Sequence, residues 1–280
     1  MHKYTKQELT GLITGKLRRN YGRDVSEATA EQMFQSCALV VRDIIAERHI
    51  KTAEQVRSAH GRRVHYLSME FLMGRSLRKN AYNLDLIQPL TEAVEALGFQ
   101  AADLFEEEPD AGFGNGGLGR LAACYLDAAT TLNIPITGYS ICYELGFFKQ
   151  KIIDGKQEEL PDNWLGLGGA WLMTQMDKAE EVRFGGKLEN KWNPDGSLSV
   201  EHTGYTSVLA VPRDMQIAGY GTEMGNVLRL WEAKSPDPVD LNIFNRGEYL
   251  KAIERQANAE VISKQLYPAD NHREGKSLRL

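Results

Sequence analysis

Gly112-Phe113-Gly114-Asn115-Gly116-Gly117-Leu118-Gly119-Arg120 is the glycine-densest stretch of the chain, and it runs directly into an apolar segment at helical spacing. Glycines gathered at a helix start let backbone N–H groups come close to something, because no side chain holds it off. That something can be a dinucleotide, another phosphate, or a neighbouring piece of backbone. Two overlapping G-x-G-x-x-G matches occur, Gly112/Gly114/Gly117 and Gly114/Gly116/Gly119. A dinucleotide fingerprint also needs a hydrophobic strand just before it and an acidic residue about 20 positions on. Here Glu106-Glu107-Glu108-Pro109-Asp110 precedes, which reads as a solvated acidic run broken by proline. Leu132 to Cys142 holds no carboxylate. The P-loop pattern fails too, because Arg120-Leu121 stands where Lys-Ser/Thr is required. Two readings remain open. One is a helix N-terminus holding a phosphate with its unpaired amides; the other is a tight turn where only glycine lets two backbones pass.

Outward from the turn, Leu118, Leu121, Ala122, Tyr125, Leu126, Ala129 and Leu132 recur at three- and four-residue steps and predict a core-facing helix. Pro135 to Ile141 is rich in β formers and predicts a buried strand, and Val64 to Met69 upstream predicts a short strand. Glu70 to Asn80 predicts a turn and helix, and Pro89 to Leu97 and Ala101 to Glu107 predict helices. Two helices are expected first, Lys6 to Tyr21 and Ser26 to Glu47, the second with Ser26 as N-cap. From Phe147 to Val211 short alternating runs are separated by Asp154-Gly155, Gly185-Gly186 and Asn193-Pro194-Asp195-Gly196, so antiparallel hairpins are expected. A long helix from Arg246 to Leu266 closes the pattern before Tyr267-Pro268. Gly275 to Leu280 then begins a new apolar pattern and stops, as a cut chain or a frayed tail would. The fold class is α/β, with a helical lead-in and a β-rich insertion.

Composition narrows the function. With 42% hydrophobic and 25% charged residues the chain is an ordinary globular one. A net charge of -5 argues against a nucleic-acid partner. No stretch is long and apolar enough to span a membrane, and Met1-His2-Lys3-Tyr4 opens no signal peptide. Cys37, Cys124 and Cys142 show no C-x-x-C spacing, so neither a disulfide framework nor a metal site is expected. A cytoplasmic location is expected.

Five stretches in order resemble the α-glucan (glycogen) phosphorylases. They are Arg63 to Arg75 (RVHYLSMEFLMGR), Asp110 to Cys124 around the glycine turn, Gly138 to Glu144 (GYSICYE), Leu228-Arg229-Leu230-Trp231 with Phe244-Asn245, and Leu266 to Asn271 with Glu274 to Leu280. The resemblance runs from about residue 40 to the end and implies the N-terminal domain portion of a GT-B glycosyltransferase. Residues 1–60 would be a helical N-terminal segment serving dimer contacts or regulation, and 61–280 an incomplete α/β domain whose cofactor-bearing C-terminal domain is absent.

The same resemblance implies phosphorolysis of an α-1,4-glucan by inorganic phosphate, giving glucose 1-phosphate, with pyridoxal phosphate as cofactor. It places the amides of Gly116 and Gly117 at the phosphates and that of Leu118 by the glucosyl unit. Asn271 would hydrogen-bond the sugar, Asp270 would sit on a gating loop, and Tyr267, Arg279 and Glu70 would line the acceptor-sugar side. The family's Schiff-base lysine, catalytic lysine–arginine pair and catalytic histidine would lie beyond Leu280, so no catalytic side chain is expected in this chain and the fragment alone is expected to be inactive. An intact homodimer is implied. Where the animal enzymes stack AMP on an aromatic ring, this chain has His49, Ala53, Glu54 and Arg57, which implies no activation by AMP. Leu72 replaces a tyrosine of the animal enzymes, as in bacterial relatives.

Two other functions compete. One is a stand-alone carbohydrate-binding or scaffold module without catalysis. The other is a nucleotide-binding oxidoreductase, disfavoured by the acidic run and the missing ribose carboxylate.

Overall fold

The computed structural model describes residues 3–237, 239–268 and 270–279. Helix α1 (Lys6–Tyr21) starts at a capping box, in which Thr5 Oγ1 accepts from the Glu8 amide and the Glu8 carboxylate accepts from Thr5 N–H. It ends at Gly22, which takes the left-handed conformation at φ 61°. Leu9, Ile13 and Leu17, four apart, form its buried seam.

The second expected helix has the right type and the wrong ends. Ser26 lies in a short 3-10 turn (Val25–Glu27), and α2 (Ala30–Ser58) is capped instead by Thr29. Thr29 and Gln32 satisfy each other's amides reciprocally, which Ser26 has no matching residue to do. The helix continues past Glu47 because its next turns grip the chain at Thr222–Gly225. Arg48 Nη1 donates to Thr222 O at 2.6 Å, and Thr52 Oγ1 accepts from Gly225 N–H at 2.9 Å. His49 Nδ1 lies 3.1 Å from Gly225 O, and burial holds its imidazole below the usual pKa.

The chain then runs through β1 (Val64–Leu67), α3 (Leu77–Asn83), α4 (Ile87–Ala96), α5 (Ala101–Glu106), α6 (Gly117–Thr131) and β2 (Ile136–Ile141). Next come β3 (Lys149–Ile153), β4 (Lys156–Leu160), α7 (Leu165–Gly168), β5 (Leu172–Thr174), β6 (Glu180–Phe184), β7 (Lys187–Trp192), β8 (Leu198–Thr203), β9 (Thr206–Ala218) and β10 (Gly225–Lys234). The main sheet has the order β1-β2-β10-β9-β5, with β6 also on β9. Strands β1, β2 and β10 are parallel, and the remaining pairs are antiparallel. The expected hairpins are β3–β4 and β7–β8, each a separate two-stranded ribbon. Buried residues of α1, α2 and α6 share one apolar core with the sheet residues Leu228 and Leu230. No described helix is long and apolar enough to cross a membrane.

Three further expectations are corrected. The closing helix is broken into α9 (Tyr249–Ala252), α10 (Glu254–Glu260) and a 3-10 turn (Val261–Ser263), after α8 (Leu241–Phe244). Ala252 O is taken by the Asp240 amide at 3.0 Å, so it is not left for the helix ladder to continue through Ile253. The short α11 (Arg273–Arg279) follows. On α6 the buried face is Gly119, Ala122, Ala123, Leu126 and Thr130, while Leu118, Leu121 and Tyr125 are 54%, 48% and 52% exposed. Small residues let α6 lie close to the sheet around Leu126, while Leu118, Leu121 and Tyr125 are turned outward.

Last, Glu108 is not solvated. It is 2% exposed, and its carboxylate accepts from Ser76 N–H at 2.8 Å, Leu77 N–H at 2.7 Å and Trp171 Nε1–H at 2.7 Å. It thus caps α3 from a distance, the role Ser76 does not perform with its own hydroxyl. Burial raises the Glu108 carboxyl above its ordinary pKa despite these three donors. Glu108→Ala is expected to cost about 3 kcal/mol in urea unfolding of the chain, since it orphans three buried donors. Glu108→Gln keeps one accepting oxygen and costs less. A raised folded-state pKa stabilises most below the unfolded value of 4.5 and fades as pH rises through the folded one. The deficit of Glu108→Gln is therefore largest at the acid end.

Candidate functional site at the glycine turn

Leu67, the last residue of β1, is in register with Tyr139, and Ile141, the last of β2, with Trp231 of β10. Past the carboxyl ends of these strands, where ligands bind in open α/β sheets, lie two hollows. One, of about 610 Å³, lies between His65, Met69, Tyr139 and Trp231. The other, of about 1010 Å³, also borders Met69 and reaches Tyr143, Tyr267 and Arg273.

After β1 the chain passes against the glycine turn. Phe71 N–H donates to Phe113 O at 2.7 Å, and Leu72 N–H donates to Gly119 O at 2.9 Å. A Cβ on Gly114 would sit 2.4 Å from Leu72 N, and one on Gly119 would sit 2.8 Å from Glu70 Oε2. One on Gly112 would meet Trp164 Cδ1 at 2.2 Å. These three glycines are glycine because neighbouring chain and side chains pass through the space a Cβ would fill. Gly116 and Gly117 are different: a Cβ there would meet nothing within 4 Å. The close-approach reading of the turn therefore applies to Gly112, Gly114 and Gly119, and leaves Gly116 and Gly117 facing open space.

Gly116 is the N-cap of α6, at φ -122° and ψ -163°, and no side chain caps the helix from that position. Its amide donates to Glu70 Oε2 at 3.0 Å, and the Asn115 amide donates to the same oxygen at 2.8 Å. The first rung of the helix is Arg120 N–H to Gly116 O at 3.0 Å. The amides of Gly117 and Leu118 have no hydrogen-bond partner among the described residues. They combine free donors with the positive end of the helix dipole, which suits an anion.

Glu70 is 3% exposed and takes a third donor, the Tyr267 hydroxyl. Burial alone would raise its carboxyl. The Tyr267 hydroxyl and the amides of Gly116 and Asn115 outweigh that, and hold it below the ordinary carboxylate value. Beside it, burial and the neighbouring Tyr267 and Glu70 push Tyr143 up to about 12, and its hydroxyl donates to Met69 O at 3.3 Å. Tyr267 itself sits at φ 53°, in the left-handed region.

Of the residues singled out in the sequence, Glu70, Gly116, Gly117, Leu118 and Tyr267 come together at the α6 start. Asp270 and Asn271 are exposed on the segment between Tyr267 and α11. The Arg279 side chain lies outside the described residues. Asn115 and Tyr143 were not singled out: an amide donor is common to almost every residue type, and Tyr143 meets Met69 only through the strand ends. Three or more His, Cys, Asp or Glu side chains arranged to hold a metal are absent among the described residues.

A family model for carbohydrate phosphorylases matches residues 94–280, which include the glycine turn and the segment after Tyr267. The chain is 39% identical over 279 residues to a glycogen phosphorylase of Chlamydia pneumoniae, covering 100% of this chain and 34% of that protein. It is 43% identical over 258 residues to the brain form of glycogen phosphorylase of Homo sapiens, covering 92% of this chain and 30% of that protein. With glycogen phosphorylase 2 of Dictyostelium discoideum the identity is 41% over 255 residues, covering 91% and 26%. The chain thus spans about a third or less of the length of these relatives. On its sequence match the chain belongs to the carbohydrate phosphorylase family.

Proposed function

We propose that the chain is the N-terminal part of an α-1,4-glucan phosphorylase and forms the phosphate-facing wall of its catalytic cleft, in a GT-B arrangement. The single observation that carries this is the pair of open amides, Gly117 and Leu118, at the start of a 15-residue helix beyond the carboxyl ends of the parallel strands. Donors fixed before the substrate arrives stabilise charge that develops during reaction, at no cost in reorganisation. In this reading the Gly117 amide meets a phosphate and the Leu118 amide meets the glucosyl unit. The Gly116 backbone shapes the cradle, with its own amide engaged by Glu70. Tyr267 and Asn271 face the sugars, Arg279 is assigned to them by the family resemblance alone, and Asp270 belongs to the segment that admits them.

Pyridoxal phosphate suits the phosphate-facing part of this wall, since two unpaired donors look onto open space. When bound, it supplies a phosphate group able to pass protons to the substrate phosphate. Among the described residues neither hollow is lined by a lysine, and in this reading the chain offers the cofactor a cradle for its phosphate. The reactive side chains belong to the remaining two-thirds of a relative-length protein, which would act as a cytoplasmic homodimer without response to AMP.

The test is direct. Full-length enzyme given maltoheptaose and inorganic phosphate is expected to release glucose 1-phosphate, and the 280-residue chain alone is expected to release none. A full-length protein that makes no glucose 1-phosphate under phosphate overturns the proposal.

A further inference from the structure

At the opposite end of α6 from the glycine turn, two aromatic rings meet on the surface. Tyr82 lies near the end of α3 and Tyr220 just after β9, and their rings stack with centroids 5.3 Å apart and planes 14° from parallel. They remain 60% and 56% exposed. A single apolar side chain in water is ordinary, but two rings brought together from distant stretches and left open mark a surface that binds something. Hydrogen bonds fix both from behind. Asn83 Nδ2 donates to Ala218 O at 2.8 Å, Gly221 N–H donates to Asn83 O at 3.2 Å, and Tyr220 N–H donates to Thr131 Oγ1 at 3.1 Å. The rings are thus held in place before a ligand arrives, and a tyrosine loses little side-chain freedom on binding. One turn back from Tyr82 on α3, Lys79 pairs with Asp127 at 3.3 Å, which sets a donor and an acceptor for hydroxyl groups on the same side of the helix.

We propose that Tyr82 and Tyr220 form a second α-glucan site, separate from the cleft, in which the C–H face of a glucose unit stacks on an exposed ring. The face of an aromatic ring is negative and attracts the positively polarised C–H groups of a pyranose, while the sugar hydroxyls turn to Lys79 and Asp127. The choice of glucan rests on the phosphorylase reading above; the site itself rests on the rings. Thr131, which holds the Tyr220 amide, is the last residue of the 15-residue α6, so the pair lies about 20 Å from the Gly117 amide. A long glucan engages both places at once and a short one does not. The pair therefore raises the effective concentration of polymer at the cleft without touching the reacting bond.

Native electrophoresis of the full-length enzyme through gels with and without glycogen tests the site, since retardation by glycogen needs no phosphorolysis. Tyr82→Ala and Tyr220→Ala are each expected to weaken the apparent affinity for glycogen several-fold, and Tyr82→Phe, which keeps the ring, is expected to retain it. Both side chains are largely in water, so the thermal midpoint is expected to hold in all three variants. In rate measurements Tyr82→Ala is expected to raise the KM for glycogen several-fold and to leave kcat and the KM for maltotetraose unchanged. Unchanged retardation in both alanine variants overturns the proposal, as does a loss in Tyr82→Phe equal to that in Tyr82→Ala. An equal rise in KM for glycogen and maltotetraose places the pair in the cleft and also overturns it. Retardation is read whether or not the protein makes glucose 1-phosphate, so failure of this site and failure of the assigned activity are told apart.

Discussion

Gly117→Pro is expected to slow phosphorolysis by the full-length enzyme roughly 10²–10³-fold, the cost of losing one fixed donor to a developing charge. Proline is an unusually clean way to delete this amide. Gly117 is the first residue of α6, where the helix needs no N–H from it and where proline is favoured. The preceding residue, Gly116, already has the extended backbone that a following proline demands, at φ -122° and ψ -163°. The added ring enters space where a Cβ would meet nothing within 4 Å. The helix should therefore persist, with the far-ultraviolet circular dichroism and thermal midpoint of the protein little changed. Gly117→Ala keeps the amide and adds only a methyl group to the same space, so its loss should be far smaller. A difference between the two variants isolates the N–H itself.

Gly114→Ala should do the opposite, damaging the fold more than any single change in the turn that faces open space. The new methyl would lie 2.4 Å from Leu72 N, 2.5 Å from Leu72 Cα and 2.7 Å from Phe71 C. All three are backbone atoms, so no side-chain rotation relieves the clash. Moving them apart strains the bonds from Phe71 N–H to Phe113 O and from Leu72 N–H to Gly119 O, which hold the two segments together. A loss of about 4 kcal/mol is expected, at the upper end for a single overpacking substitution. Urea unfolding of the chain reads it. Gly116→Ala, whose new methyl would meet nothing within 4 Å and whose backbone is already extended, should stay within about 0.5 kcal/mol of the parent protein.

How far the sequence carried these conclusions can be seen at particular residues. The Lys6–Tyr21 helix was legible to its last residue because its start and stop are both local: a Thr5–Glu8 box and a left-handed Gly22. The second helix was legible as a helix but not in extent, since its last turns are held by distant Thr222 and Gly225. Glu108 looked like one of several solvated acids, yet donors 31, 32 and 63 positions away bury it. On α6 the period was right, and Ala122 and Leu126 are buried as expected, but Leu118, Leu121, Tyr125 and Leu132 are turned outward. Gly119 and Ala123 fill out the close face instead, where a rule that looks for large apolar residues does not point. Within the turn, glycines that give way to passing chain and glycines that open onto space look identical in one dimension. Only the positions of Leu72, Trp164 and Glu70 separate them.

The claim at the centre of this account is that the amide at the start of α6 receives phosphate. It is tested most directly by initial rates of glucose 1-phosphate formation against phosphate concentration, with full-length Gly117→Pro and Gly117→Ala measured side by side. The account predicts that the proline variant loses most of its rate and its phosphate saturation while the alanine variant keeps both. Equal rates and equal phosphate saturation in the two variants would contradict it.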